Sequence, residues 1–115
     1  MKLIYLASPY SHTDKVIETA RFQLACRACR KILNRGYAVY SPIVHWHCVR
    51  NLCHLKGDFE TFKDINTEMI TRADELWILI TKGTYKSKGI FAEIAIARTQ
   101  SKPVRCYRVE EDSVL

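Results

Sequence analysis

The stretch of this 115-residue sequence that could do chemistry most directly is Ser87-Lys88-Gly89-Ile90-Phe91-Ala92-Glu93. A serine and a glycine where a loop turns into a helix supply a hydroxyl, free N–H groups and close backbone approach. Together these suit an anion at a helix N-terminus. Glu93 falls about one turn into that helix, among Ile90, Phe91, Ala92, Ile94 and Ala95. An unpaired carboxylate in such surroundings is costly. Two alternatives follow: Glu93 is paired with Arg98 or a backbone donor, or it is a carboxylate nucleophile. The P-loop lysine motif and a G-x-G-x-x-G after the first strand are both missing, so ordinary triphosphate and dinucleotide sites lack their usual signal.

A second cluster is His45, His47, Cys48, Cys53 and His54. Its H-x-H-C-x4-C-H spacing fits no standard structural zinc site, and no metal or other cofactor is expected. Cys26 and Cys29 form a C-x-x-C inside a helical pattern, without the strand-to-helix junction of a redox motif, so they are expected to pack rather than react. Trp46 and Trp77 read first as core or interface residues, although Trp46 is placed where it could stack on a base.

These residues need positioning elements, and the pattern supplies them. Lys2 to Ala7 is a short apolar strand stopped by Ser8-Pro9-Tyr10-Ser11. From Asp14 to about Arg35, Ile17, Ala20, Leu24, Ala28 and Ile32 recur at helical steps, with Gly36 as a stop. Tyr37 to Ser41 is a second strand, closed by Pro42. Residues 43 to 57 show no clean period and read as a loop or irregular helix. A helix from about Asp58 to Arg72 and a continuous apolar strand, Glu75 to Thr81, follow. A loop from Lys82 to Gly89, a small-residue-rich helix from about Ile90 to Thr99 and a strand from Val104 to Val109 complete the chain.

Alternating strands and helices predict a single α/β domain over residues 1–115, a Rossmann-like or flavodoxin-like parallel sheet with helices on both faces. Ligands in such sheets sit beyond the carboxyl ends of the strands, where strand order reverses. That rule selects three loops: Ser8 to Thr13, Pro42 to His47, and Lys82 to Gly89. Ser8 and Tyr10 become binding candidates on the first.

Composition agrees with a globular domain: 48% hydrophobic and 26% charged residues are too much core material for a disordered chain. No apolar run approaches the ~18 residues of a membrane span, so no membrane partner and a cytoplasmic location are expected. Five cysteines are an odd number without regular spacing, so reduced thiols are expected. The net charge of +6 comes from the first half, where residues 1–50 hold eight basic and two acidic side chains. Arg21, Arg27, Arg30, Lys31 and Arg35 fall on one helix. They make either a solvated basic face or an attractor of phosphate-bearing ligands. A nucleic-acid surface is not expected, because no aromatic-interleaved basic strand or recognition helix accompanies the charge.

The order of "IYLASPYS" on the first strand, Ala38-Val39-Tyr40-Ser41-Pro42 closing the second, Ala73-Asp74 before an apolar strand, S-x-G-x-x-x-E-x-x-x-A from Ser87 to Ala97, and Lys102-Pro103-Val104 resembles the nucleoside 2-deoxyribosyltransferase superfamily. The match spans nearly the whole chain and looks closest to the deoxynucleoside monophosphate N-hydrolase branch. The resemblance implies that Glu93 is the nucleophile, that Ser87 contacts a 5′-phosphate, and that Tyr5 lies near the sugar. It also implies a histidine beside the pocket, for which His45 is the candidate, with an ordinary loop histidine as the alternative. An N-glycosidic bond breaks through an oxocarbenium-like state that an adjacent carboxylate can stabilise or trap, as in retaining glycosidases.

The leaving base then needs a proton, which the superfamily takes from an Asp on the preceding helix. Here that interval lands on Asn66, flanked by Asp64 and Glu68, and Asn is no acid. Either Asp64 serves, or the proton comes from elsewhere, or catalysis is lost. The expected function is therefore N-glycosidic cleavage of a nucleoside 5′-monophosphate, as hydrolase or deoxyribosyltransferase. The alternative is a non-catalytic nucleotide-binding or sensor module. A homodimer or larger homo-oligomer is expected, since superfamily members complete their pockets from a neighbouring subunit.

Overall fold

The computed structural model describes residues 1–56 and 59–115, with the backbone alone described for Phe59 and Glu60. Its elements run β1 (Leu3–Ala7), α1 (Lys15–Asn34), β2 (Ala38–Tyr40), α2 (Pro42–Leu52), α3 (Phe59–Arg72), β3 (Glu75–Leu79), a single 3-10 turn (Thr84–Lys86), α4 (Lys88–Thr99), β4 (Val104–Arg108) and β5 (Ser113–Val114). The five strands form one sheet in the order β2-β1-β3-β4-β5. The first four are mutually parallel and β5 pairs antiparallel to β4. This is the expected α/β class.

The two central strands explain the two-sided architecture. On β1, Ile4 and Leu6 face one way and Tyr5 and Ala7 the other; on β3, Trp77 and Leu79 oppose Leu76 and Ile78. Period-two alternation in a continuous apolar run demands cover on both faces. The first face packs on Ala28 and Ile32 of α1, together with Tyr107 of β4. The second packs on Ile70 of α3 and on Ile90 and Ala97 of α4. Burying each such large side chain contributes roughly 1.5–3 kcal/mol, so neither helix layer is dispensable. No helix among the described residues is long and apolar enough to cross a membrane.

Two expectations are corrected. Of residues 43 to 57, expected as a loop or irregular helix, 43 to 52 form most of a regular helix, α2. Ser41 caps it, its Oγ accepting from the Val44 N–H at 3.2 Å, and Pro42 occupies its first turn, where a missing N–H costs nothing. It shows no clean apolar stripe because none of its residues is fully buried. The chain also ends in a short antiparallel strand, β5, too brief to leave a periodic signal. Asp58, the expected start of α3, lies outside the described residues.

Candidate active site

β1 lies between β2 and β3, so chain order reverses there and a crevice opens at the carboxyl ends of the strands. A cavity of about 1110 Å³ occupies it. All three loops singled out by the sheet rule contribute to its lining, through Ser8 and Tyr10, through Pro42 and Trp46, and through Ser87 and Gly89. Asn66 lines it from α3 and Glu93 from α4.

Glu93 is 7% exposed. Ser87 starts its helix, the Ser87 Oγ accepting from the Ile90 N–H at 3.2 Å, and six residues on the carboxyl reaches the end of β1. There it meets Tyr5, whose hydroxyl donates to Glu93 Oε2. Tyr5 is wholly buried and points towards α4 because it alternates with Ile4 and Leu6. Among the described residues neither Arg98 nor a backbone donor is the partner. Burial pushes the Glu93 carboxyl up to about 7, with the Tyr5 hydrogen bond opposing the rise. Burial and the facing carboxylate push the Tyr5 phenol well up as well, so it stays a donor. A carboxyl poised near neutrality in a cavity is suited to nucleophilic or acid–base work.

Two more polar atoms stand out. Ser8 Oγ and Asn66 Oδ1 are buried and have no hydrogen-bond partner among the described residues. Buried polar groups are nearly always paired, so two such orphans on residues lining one cavity set it apart from the rest of the interior. Tyr10 does have a partner: its hydroxyl lies 2.7 Å from His47 Nδ1. His47 stacks on Phe22 at 3.9 Å and lines the cavity, and burial lowers its pKa. Arg50 lies over the Tyr10 ring at 5.3 Å and is 3.9 Å from buried Glu18. Glu18 also accepts from the His12 N–H at 3.2 Å, which ties α1 to the first loop.

The structure does not bring Asp64 to the pocket. It sits two residues before Asn66, about 200° round the helix, and it is exposed and absent from the lining. A proton delivered from Asp64 is therefore set aside. His45 is also exposed and outside the lining, against Tyr40 and Trp46 at the outer side of α2; the histidine that does reach the cavity is His47, two residues on. Among the described residues no three His, Cys, Asp or Glu side chains converge as metal ligands. All five cysteines are free thiols. Cys29 packs on the core, and burial pushes its thiol up to about 12.

Arg21 also escaped the sequence pattern. Its Nη1 donates to the Ser11 carbonyl at 2.9 Å and to the Tyr10 carbonyl at 3.4 Å, and the side chain lines the cavity. A run of arginines on α1 gave no reason to separate it from Arg27 or Arg30.

Residues 2–109 match the model of a family described as a domain of unknown function, DUF1937. The chain belongs to the DUF1937 family. Among solved structures it is similar to a 2-deoxyribosyltransferase from the psychrotolerant bacterium Bacillus psychrosaccharolyticus, at 26% identity and a TM-score of 0.58 over 92% of this chain and 72% of that one. The resemblance drawn from the motifs thus holds at the level of the deoxyribosyltransferase fold, to which DUF1937 is related. No curated protein matches this DUF1937 chain.

Proposed function

We propose that this DUF1937 protein cleaves the N-glycosidic bond of a nucleoside 5′-monophosphate, with Glu93 as the nucleophile. The observation that carries the proposal is the buried Glu93 carboxyl at the cavity wall, held by the Tyr5 hydroxyl. Likeness to a 2-deoxyribosyltransferase supports nucleoside glycosyl transfer as the reaction class. The Glu93 carboxylate attacks the anomeric carbon as the bond to the base breaks, leaving a glycosyl ester that water or a second base resolves. Ser87 and the amides at the head of α4 hold the 5′-phosphate. Asn66, unable to donate a proton as an acid, orients the base by its amide. The proton for the leaving base comes from His47, which lines the cavity and is hydrogen-bonded to Tyr10.

Homo-oligomerisation is part of the same proposal. Phe91 on α4, Tyr85 before it and Leu52 at the end of α2 are exposed apolar side chains on the segments expected to form the contact, and light scattering would show a dimer or larger.

A binding or sensor module is the second possibility, favoured by Asn66 in place of an acid. Incubating the protein with each nucleotide and chromatographing for free base decides between them. Base release from wild type and none from Glu93→Gln supports the nucleophile; tight binding without release supports the module. Adding a second free base then separates transferase from hydrolase.

A further inference from the structure

We infer that the pocket takes a nucleotide with two or more phosphates in line, the second held between α1 and the loop joining β3 to α4. This rests on the nucleotide site proposed above and extends it. The head of α4, a 12-residue helix, offers Ser87 and the Lys88 and Gly89 amides, which suffice for one phosphate. The lining holds far more positive charge than one phosphate uses. Lys82, Lys86 and Lys88 line the cavity, are exposed, and form no ion pair with any carboxylate among the described residues. Among the described residues Glu93 is the single carboxylate of the lining, and its partner is Tyr5.

Arg21 meets this loop from α1. Gly83, in the left-handed region at φ +96°, lies where an added Cβ would come within 2.5 Å of the Arg21 guanidinium. Any side chain at Gly83 would displace the arginine, so the loop is shaped around a guanidinium already fixed by the Ser11 and Tyr10 carbonyls. A fixed guanidinium among exposed lysines is the arrangement that fits adjacent phosphates, the planar fork giving direction and the ammonium groups giving charge.

Two further observations point to a ligand rather than to a solvated basic face. Ser8, 7% exposed, lines the same cavity, and its hydroxyl has no partner among the described residues. The cavity's volume of about 1110 Å³ stands at the upper end of the roughly 300–1,000 Å³ of ordinary small-molecule sites, so size does not restrict it to a monophosphate.

Calorimetric titration of Glu93→Gln protein, which keeps ligands intact, with a nucleoside and its 5′-mono-, di- and triphosphates tests the inference. Affinity should rise about tenfold from nucleoside to monophosphate and about tenfold again to diphosphate, with the second gain shrinking as salt is raised. Lys82→Ser/Lys86→Ser should abolish the second gain and spare most of the first, with unchanged thermal unfolding as the check on folding. Inorganic pyrophosphate should displace the diphosphate better than inorganic phosphate does. A diphosphate no tighter than the monophosphate overturns the inference and leaves the nucleotide site standing. So does a diphosphate preference that survives the double variant, since the second phosphate would then lie elsewhere. A single-stranded oligonucleotide that outbinds the diphosphate overturns it in favour of a nucleic-acid surface. Failure of every nucleoside and nucleotide to bind removes both this inference and the nucleotide site.

Discussion

Replacing Glu93 with Gln keeps the side chain's shape and a hydrogen bond to Tyr5 but removes the ionisation that burial opposes. The carboxyl's pKa stands at about 7 in the fold against 4.5 when free. At about 1.4 kcal/mol per pH unit, holding it ionised costs the folded state roughly 3 kcal/mol once the pH exceeds 7. The sign follows from linkage: the folded chain binds this proton more tightly than the unfolded chain. The wild-type stability contribution is therefore fully present below 4.5, declines through the window from 4.5 to 7, and is lost above it. Glutamine has nothing to titrate. Glu93→Gln should match wild type near pH 4.5 and be more stable by roughly 3 kcal/mol at pH 8, a rise of about 10 °C in Tm for a domain of this size. Denaturant and thermal unfolding across the pH series measure this, with base release assayed on the same samples. Activity should fall by several orders of magnitude as stability rises, the signature of a residue kept for chemistry. A variant less stable than wild type by the same amount at every pH would refute the reasoning and make Glu93 a structural residue.

Tyr5→Phe removes the hydrogen bond that restrains the Glu93 carboxyl, so the acid limb of the base-release profile should move to higher pH, with roughly a tenfold loss at pH 6; an unmoved limb in a pH–rate series counts against the pair. Ser87→Ala removes both a helix cap and a phosphate donor. It should lower stability by about 1 kcal/mol and weaken monophosphate binding roughly ten- to a hundredfold, nucleoside binding much less; equal losses by calorimetry would deny the phosphate role. Asp64→Asn should leave base release intact and unfolding within about 0.5 kcal/mol of wild type, and a large loss would return Asp64 to the mechanism. Asn66→Asp places an acid on the cavity wall and should raise turnover at least about tenfold if protonation limits the rate; lowered turnover would assign the amide a positioning role instead.

The outline of this molecule was legible because its central strands are continuous apolar runs. From them came the parallel sheet, and from the sheet came the three loops that do line the cavity. Glu93 was conspicuous as a lone carboxyl on a helix of small and apolar residues. What escaped depended on long-range partners. The Tyr5 hydroxyl was invisible as Glu93's counterpart because alternation on a strand does not reveal which helix will lie across it. Helix α2 was left undecided between loop and irregular helix because a helix with no fully buried residue needs no apolar stripe. His47 and His45 are indistinguishable by type and nearly by position; only the rotation of α2 turns one towards the cavity and the other away.

Tyr5 and Glu93 are 88 residues apart in sequence, and β1 is completed on one edge by β2 and on the other by β3. The pair therefore exists only while α4 is docked on the sheet, in the layer that Ile90 and Ala97 close. Local opening of α4 would separate the two side chains while leaving α1, β1 and β2 in place. Amide exchange in α4 would consequently report the fraction of molecules in which the pair is assembled, a quantity that overall helicity would miss.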